Sequence, residues 1–121
     1  MFELPDPSIA QIVLDDITER ARQFFVPRGC VIYPYSKRVR IADRKAMYGP
    51  HILRAYTIDC RFDEIILLRG ELSADSIMWE EVYRRYNYAE FDPDRFLLQI
   101  WDDIQEDRKV PIDTSKFKMI L

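Results

Sequence analysis

Histidine, cysteine and glycine are scarce in this chain of 121 residues, which holds one histidine, two cysteines and three glycines. With His51 alone, one chain cannot form a site that needs two imidazoles, such as the HExxH zinc helix. The isolated glycines exclude the phosphate loops of P-loop and Rossmann proteins, and no GxSxG nucleophile elbow occurs. We therefore expect no cofactor, no metal site and no catalytic residues, and the sequence leans away from an enzyme.

The two cysteines, Cys30 and Cys60, are too few for a disulfide framework. In a reducing compartment such a pair is usually two buried thiols, and this is what we expect here. A bridge between adjacent strands is the alternative, typical of a hyperthermophile or its virus. A thiol and imidazole pair with His51 is a weaker alternative, because His51 follows the loop breaker at Gly49 and Pro50.

Long apolar runs are also missing. No stretch approaches the roughly 20 apolar residues that a membrane-spanning helix requires, and the first ten residues resemble no secretory leader. These features predict a cytoplasmic protein without a membrane partner. A compact domain with no enzyme signature would also suit a virus or a mobile element.

What the chain has in quantity is apolar and charged residues, at 48% and 32%. A chain of this length and composition is expected to fold as one globular domain over 1–121 with its own core. The charge is unevenly distributed: residues 1–25 carry −3, residues 26–61 carry +6 and residues 62–121 carry −6. The positive charge is densest in the segment YSKRVRIADRK at 35–45.

The first predicted element is a helix that starts at an Asp6 cap with Pro7 in its first position and ends before Pro27. Its apolar residues repeat at spacings of three and four and predict a buried stripe. The stripe consists of Ile9, Ile12, Val13, Ile17, Ala21 and Phe24.

From residue 30 the apolar period changes from 3.6 to 2, which predicts strands. The segments CVIYPY and KRVRIA favour a β-hairpin with its turn over 33–36, and residues 43–51 favour a loop. The alternation places Arg38 and Arg40 on one strand face and Val39 and Ile41 on the other. HILRAYTIDC predicts a further strand. The apolar run at 64–69 is either a strand or a short helix, and its length favours a strand.

Two more helices are predicted to close the chain. The first has Ser73 as its cap between Leu72 and Ile77, and the second has Asp92 as its cap with Phe91 and Phe96 as a hydrophobic staple. The predicted fold class is α+β, with an N-terminal helix, a small antiparallel sheet of about four strands over 30–69, and two C-terminal helices packed on one face. The half-apolar tail, VPIDTSKFKMIL, is expected to dock on its own core or on a second copy.

The basic hairpin is the candidate functional region. Its partner-binding residues are predicted to be Tyr33, Tyr35, Lys37, Arg38, Arg40, Arg44 and Lys45. The simplest interpretation is a solvated face that pairs with the chain's own acidic helices. A chain with blocks of opposite charge also complements a second copy of itself, which favours a self-associating, non-enzymatic interaction or assembly module that binds protein, itself or another. The alternative is a nucleic-acid-binding regulator whose tyrosines stack on bases.

Two other clusters have weaker interpretations. Asp59, Asp63 and Glu64 flank a predicted turn and could hold Mg²⁺, which makes a metal-dependent hydrolase the third hypothesis. Turn carboxylates more often face water. The segment YRRYNYAEF has the tyrosine and arginine content of binding hot spots, but core lining explains its tyrosines better.

Overall fold

The computed structural model describes residues 7–48, 52–61, 63–73 and 78–110. Its helices and strands are α1 (Pro7–Phe25), β1 (Cys30–Tyr35), β2 (Arg38–Tyr48), β3 (Ile52–Arg61), β4 (Glu64–Ser73), β5 (Met78–Asn87) and α2 (Pro93–Asp107). The strands form one sheet in the order β1-β2-β3-β4-β5, and every neighbouring pair is antiparallel. No helix among the described residues is both long and apolar enough to cross a membrane.

The α+β class is confirmed, but the predicted arrangement is wrong in two respects. The sheet has five strands instead of about four and continues to Asn87, and one helix, not two, follows it in the described residues. The predicted cap Ser73 ends β4, and the segment MWEEVYRRYN, predicted as helix, is β5. Residues 43–48, predicted as loop, belong to β2, whereas the Asp6 cap, His51 and the tail after Val110 lie outside the described residues.

A β-bulge explains why β5 resembles a helix in the sequence. Leu67 pairs with Arg84 and Leu68 pairs with Val82, so Tyr83 is an extra residue without a direct partner. An extra residue shifts the alternation of side chains by one position. Tyr83 and Tyr86, three apart, can therefore point to the same face, which is the spacing that otherwise indicates a helix turn.

The two helices pack on the same face of the sheet, which we call the helix face. The buried core there is drawn from α1, four strands and α2: Leu14, Ile17, Ala21, Phe25, Cys30, Val39, Ile41, Tyr56, Ile58, Ile65, Leu67, Phe96, Leu97, Ile100 and Ile104. Within the predicted stripe of α1, Ile17 and Ala21 are buried, but Ile9 and Ile12 are 45% and 66% exposed. The buried stripe of α1 instead extends to Leu14 and Phe25.

The predicted start of α2 is confirmed. The Asp92 carboxylate accepts hydrogen bonds from the amides of Asp94 and Arg95, and Pro93 takes the first helical position. The rings of Phe91 and Phe96 meet edge to face with centroids 5.0 Å apart, as the staple predicts. These contacts fix the end of α2 that follows β5.

The opposite face of the sheet is curled, and we call it the concave face. The sheet aligns Glu80 with Ala42, four residues from Arg38. In a flat sheet Arg38 and Glu80 would therefore be about 14 Å apart across the strands and about 13 Å apart along them, since strands lie about 4.8 Å apart and rise about 3.3 Å per residue. Nevertheless Arg38 on β2 donates to Glu80 on β5 over 3.2 Å. The floor between them is buried and includes Ala55 and Thr57 on β3 and Ile66 on β4, each 1% exposed.

Candidate functional site

The β1–β2 hairpin turns at Ser36 and Lys37, two residues later than predicted. Both residues have positive φ, 44° and 63°, which is the backbone of a two-residue type I′ turn. Such turns usually contain asparagine or glycine, so neither Ser36 nor Lys37 signalled this one. Pro34, expected in the turn, instead lies within β1 opposite Val39.

Four of the predicted partner-binding residues lie together on the concave face. Tyr33 pairs with Arg40 and Tyr35 pairs with Arg38. The Arg40 guanidinium lies 4.5 Å from the centroid of the Tyr35 ring and donates to its hydroxyl over 2.8 Å. Arg38 contacts the carboxylates of Asp59 and Glu80 at 3.4 and 3.2 Å. The chain's own residues therefore already occupy both arginines, and the acidic partners of Arg38 lie on strands instead of the predicted helices.

The other basic residues of the segment lie elsewhere. Arg44 and Lys45 are exposed near the far end of β2, about 23 Å from Lys37 at the usual rise of a strand. The segment at 35–45 is thus not one basic patch. Its exposed cations are split between the turn and the end of β2 that adjoins Gly29.

β1 is one of the two edge strands of the described sheet, and β5 is the other. The Gly29 carbonyl accepts a hydrogen bond from the Arg44 amide over 3.3 Å. Gly29 and Arg44 are therefore a hydrogen-bonded pair, and this shows which of the following β1–β2 pairs are hydrogen-bonded. Because bonded and non-bonded pairs alternate, the backbone groups of Cys30, Ile32 and Pro34 point away from β2. Among the described residues no strand pairs with this edge. Pro34 has no amide to offer, so Cys30 and Ile32 supply the free donors.

A cationic groove runs along the first half of this edge. It has a volume of about 480 Å³, and its lining includes Arg22 and Val26 from the helix end together with Cys30, Ile32 and Arg44. Among the described residues Arg22 and Arg44 form no ion pair. Val26 is 55% exposed, so the groove combines positive charge with apolar surface.

A second groove borders the other half of the edge, beside Pro34. It has a volume of about 470 Å³ and is lined by α1 and the hairpin turn. Asp15 and Glu19 supply its negative charge, whereas Arg22, which borders both grooves, Lys37 and the already paired Arg38 supply positive charge, so its charges are mixed. The two ends of the β1 edge therefore differ in charge.

The sequence did not reveal the contribution of α1 to this site. Asp15, Glu19 and Arg22 follow one flank of the helix, Val26 comes directly after its end, and these residues border β1. Helical spacing predicts that these residues share a flank, but it cannot tell which neighbour the flank adjoins.

The most extensive buried polar cluster lies at the end of α2 and is structural. Asp107 accepts hydrogen bonds from Tyr56 and Arg69, while Arg54 donates to its carbonyl over 2.6 Å. Burial, followed by the hydrogen bond to Asp107, raises the pKa of Tyr56. Next to the cluster, Arg108 binds Asp43 through two hydrogen bonds of 2.8 Å. These contacts satisfy the negative end of the α2 dipole and leave little room for a ligand.

Asp59, the centre of the metal hypothesis, is contacted by two guanidinium groups. Arg61 lies 2.9 Å and Arg38 3.4 Å from its carboxylate. In the described ranges no group of three metal-ligating side chains occurs.

The cysteines lie far apart. Cys30 is opposite Asp43 near one end of β2, whereas Cys60 on β3 lies next to Asp59, which is opposite Arg38 at the other end. β2 separates their strands, so the alternative of a bridge between adjacent strands is wrong and both thiols are free. Burial raises the pKa of Cys30 to about 11 and that of Cys60 to about 12.

We expect both thiols to react slowly with iodoacetamide in the native protein. At pH 8 a raised pKa leaves little thiolate, the reactive form, so alkylation should be slower by about 100-fold or more than in guanidinium-unfolded protein. Mass spectrometry of samples quenched over time measures both rates. Native rates within a few-fold of the unfolded rates would contradict the placement of Cys30 as buried and of Cys60 as half-buried.

No protein-family model matches the chain, and no curated protein and no solved structure matches it either.

Proposed function

We propose that this protein is a non-enzymatic assembly module whose copies associate through the β1 edge of the basic hairpin. The open edge carries the proposal: Cys30 and Ile32 present backbone groups that no described strand pairs with. Unpaired edges of this kind readily accept a further strand.

Two features of the surroundings support association. The first is apolar surface beside the edge, where Val26 and Tyr33 are 55% and 42% exposed. The second is the charged flank of α1, because charge complementarity sets partner choice and association rate. The exposed cations at Lys37, Arg44 and Lys45 are then the part of the predicted basic surface that remains available.

A cytoplasmic setting belongs to the same proposal. Its support is that Cys30 and Cys60 are free and lie on strands that are not neighbours, which suits a reducing compartment.

The test is sedimentation velocity from about 1 µM to about 1 mM, with Ile32→Pro and Ile32→Ala as matched variants. Proline removes the outward amide of Ile32 without removing a bond to β2, and edge strands tolerate proline at such positions. Alanine removes the side chain but keeps the amide. We expect the wild type and Ile32→Ala to associate as concentration rises and Ile32→Pro to remain monomeric.

Circular dichroism and thermal melting establish that each variant is folded. A wild type that stays monomeric throughout, or a folded Ile32→Pro that associates as the wild type does, would contradict the proposal.

Nucleic-acid binding is the second candidate, favoured by the exposure of Tyr33 beside Arg40 on the concave face. It is the weaker one, because Asp59 and Glu80 on the same face neutralise Arg38 and repel phosphate. Fluorescence anisotropy with labelled single-stranded DNA and RNA at low salt tests it. Binding that weakens steeply with salt and is lost in Arg40→Glu would support this candidate over self-association.

A further inference from the structure

We infer that two copies pair antiparallel along β1 about a two-fold axis at Ile32, which joins their sheets into one continuous sheet. This inference rests on the proposed function and adds the register and symmetry of the contact. Three observations limit the register: the outward backbone groups, Pro34, and the charges along α1.

The outward groups limit where the axis can lie. With the axis at Ile32, the Ile32 residues of both copies exchange two hydrogen bonds, and each Cys30 amide meets the Pro34 carbonyl of the other copy. With the axis at Pro34, the central pair has no donor, because proline lacks an amide hydrogen. With the axis at Val31, Cys30 of each copy pairs with Ile32 of the other, and as many hydrogen bonds form as with the axis at Ile32. An axis at Tyr33 leaves only the bonds from the Ile32 amides to the Pro34 carbonyls within β1, and an axis at Cys30 pairs Ile32 with Arg28, which precedes the strand. Within β1, backbone bonding therefore favours two registers, at Ile32 and at Val31.

Charge decides between these two registers. An axis at Val31 places the cationic groove of one copy beside that of the other, so that four arginines gather around the axis, Arg22 and Arg44 from each chain, which have no ion pair with any described residue. An axis at Ile32 moves each Arg44 toward the Pro34 end of the other copy, where Asp15 and Glu19 balance the charges of Arg22 and Lys37. Like charges across an interface are costly, whereas opposite charges favour the encounter. The Ile32 register is therefore the one that the surface favours.

The same register uses the exposed apolar surface. Across the new ladder Val31 of one copy lies opposite Tyr33 of the other, on the concave face. A pair at a non-hydrogen-bonded position has its Cα atoms about 4.5 Å apart, within the range that a disulfide spans. Tyr33, which is 42% exposed in the single chain, would become covered.

Cysteine cross-linking tests this register directly. In a Cys30→Ala/Cys60→Ala background, Val31→Cys and Tyr33→Cys are made as separate proteins and oxidised with copper phenanthroline, alone and mixed. We expect a disulfide-linked dimer in the mixture and almost none in either protein alone, because each new thiol faces position 33 or 31 of the other copy. Asp102→Cys, on the exposed side of α2, measures disulfides formed by random collision.

The outcomes separate the inference from the proposed function. If Val31→Cys cross-links with itself, the axis lies at Val31, and the Ile32 register is overturned while edge association stands. A second outcome is that wild type associates and Ile32→Pro does not, but the mixture of Val31→Cys and Tyr33→Cys cross-links no better than Asp102→Cys. The antiparallel two-fold contact is then overturned, while association through the β1 edge stands. If wild type is monomeric at all concentrations, both fail, and the edge is then filled by the chain itself or left open.

Discussion

Replacing Gly70 with alanine is expected to destabilise the protein by about 3 kcal/mol or more, at or above the top of the range for overpacking. A Cβ at this position would lie 1.8 Å from the Trp79 carbonyl oxygen and 2.7 Å from the Glu80 Cα. These are backbone atoms of β5, which cannot turn aside as a side chain can. The bend of β5 over β4, and with it the Arg38–Glu80 contact that curls the sheet, therefore depends on glycine at this position. Urea unfolding measured by circular dichroism gives the change in free energy.

Gly29→Ala is the matched control, because it adds the same Cβ atom but is expected to change the free energy of unfolding for a different reason. Gly29 has φ of +88° and its Cβ would meet only the Lys45 side chain at 3.9 Å. The expected loss of stability comes only from placing alanine in a left-handed backbone conformation, which costs about 1–2 kcal/mol. A Gly70→Ala protein that is as stable as Gly29→Ala would show that β5 does not pass so close to β4.

The second large effect is expected from Asp107→Ala, at about 3–5 kcal/mol of unfolding free energy. Asp107 is 7% exposed and Arg54 is 5% exposed. Removing the carboxylate takes the anionic partner from Arg69, the acceptor from the Tyr56 hydroxyl and the nearby negative charge from Arg54. A buried cation that loses its counter-charge costs more than the original pair contributed.

Asp102→Ala is the control for Asp107→Ala, since it removes the same group from an exposed position of the same helix. Its expected effect is within about 0.5 kcal/mol. Chemical denaturation of both variants at pH 7 makes the comparison. Equal losses would mean that the cluster at the end of α2 contributes no more than an exposed charge does.

The sequence was most informative where a local signal is strong. Pro7 begins α1, and Asp92 with Pro93 begins α2, because a cap and a first-turn proline need no information from the rest of the fold. The strand at 64–69 was also predicted from its length and composition. Local chemistry determined these elements.

β5 was mispredicted because its evidence is not local. The spacing of Tyr83 and Tyr86 depends on a bulge opposite Leu67 and Leu68, and nothing near Tyr83 in the sequence indicates it. The type I′ turn at Ser36 and Lys37 is a similar case, since Pro34 offered a stronger turn signal than the residues that make the turn. The positions of the bulge and of the turn both depend on strand pairing across the sheet.

The candidate site was predictable only in part. Alternation correctly placed Arg38 and Arg40 together on one face, but it could not show that Asp59, Glu80 and Tyr35 already engage them. The open edge of β1 follows from the strand order, and the charges beside it come from α1. Neither the strand order nor the position of α1 beside β1 can be predicted from the residues of one segment.

Amide hydrogen exchange of Ile32 by NMR, at about 10 µM and about 1 mM protein, tests self-association along β1 most directly. The Ile32 amide points away from β2, so association should slow its exchange by about tenfold or more at the higher concentration. The Tyr33 amide points toward β2 and should change little. An Ile32 exchange rate that is the same at both concentrations, whether fast or slow, would contradict association through this edge.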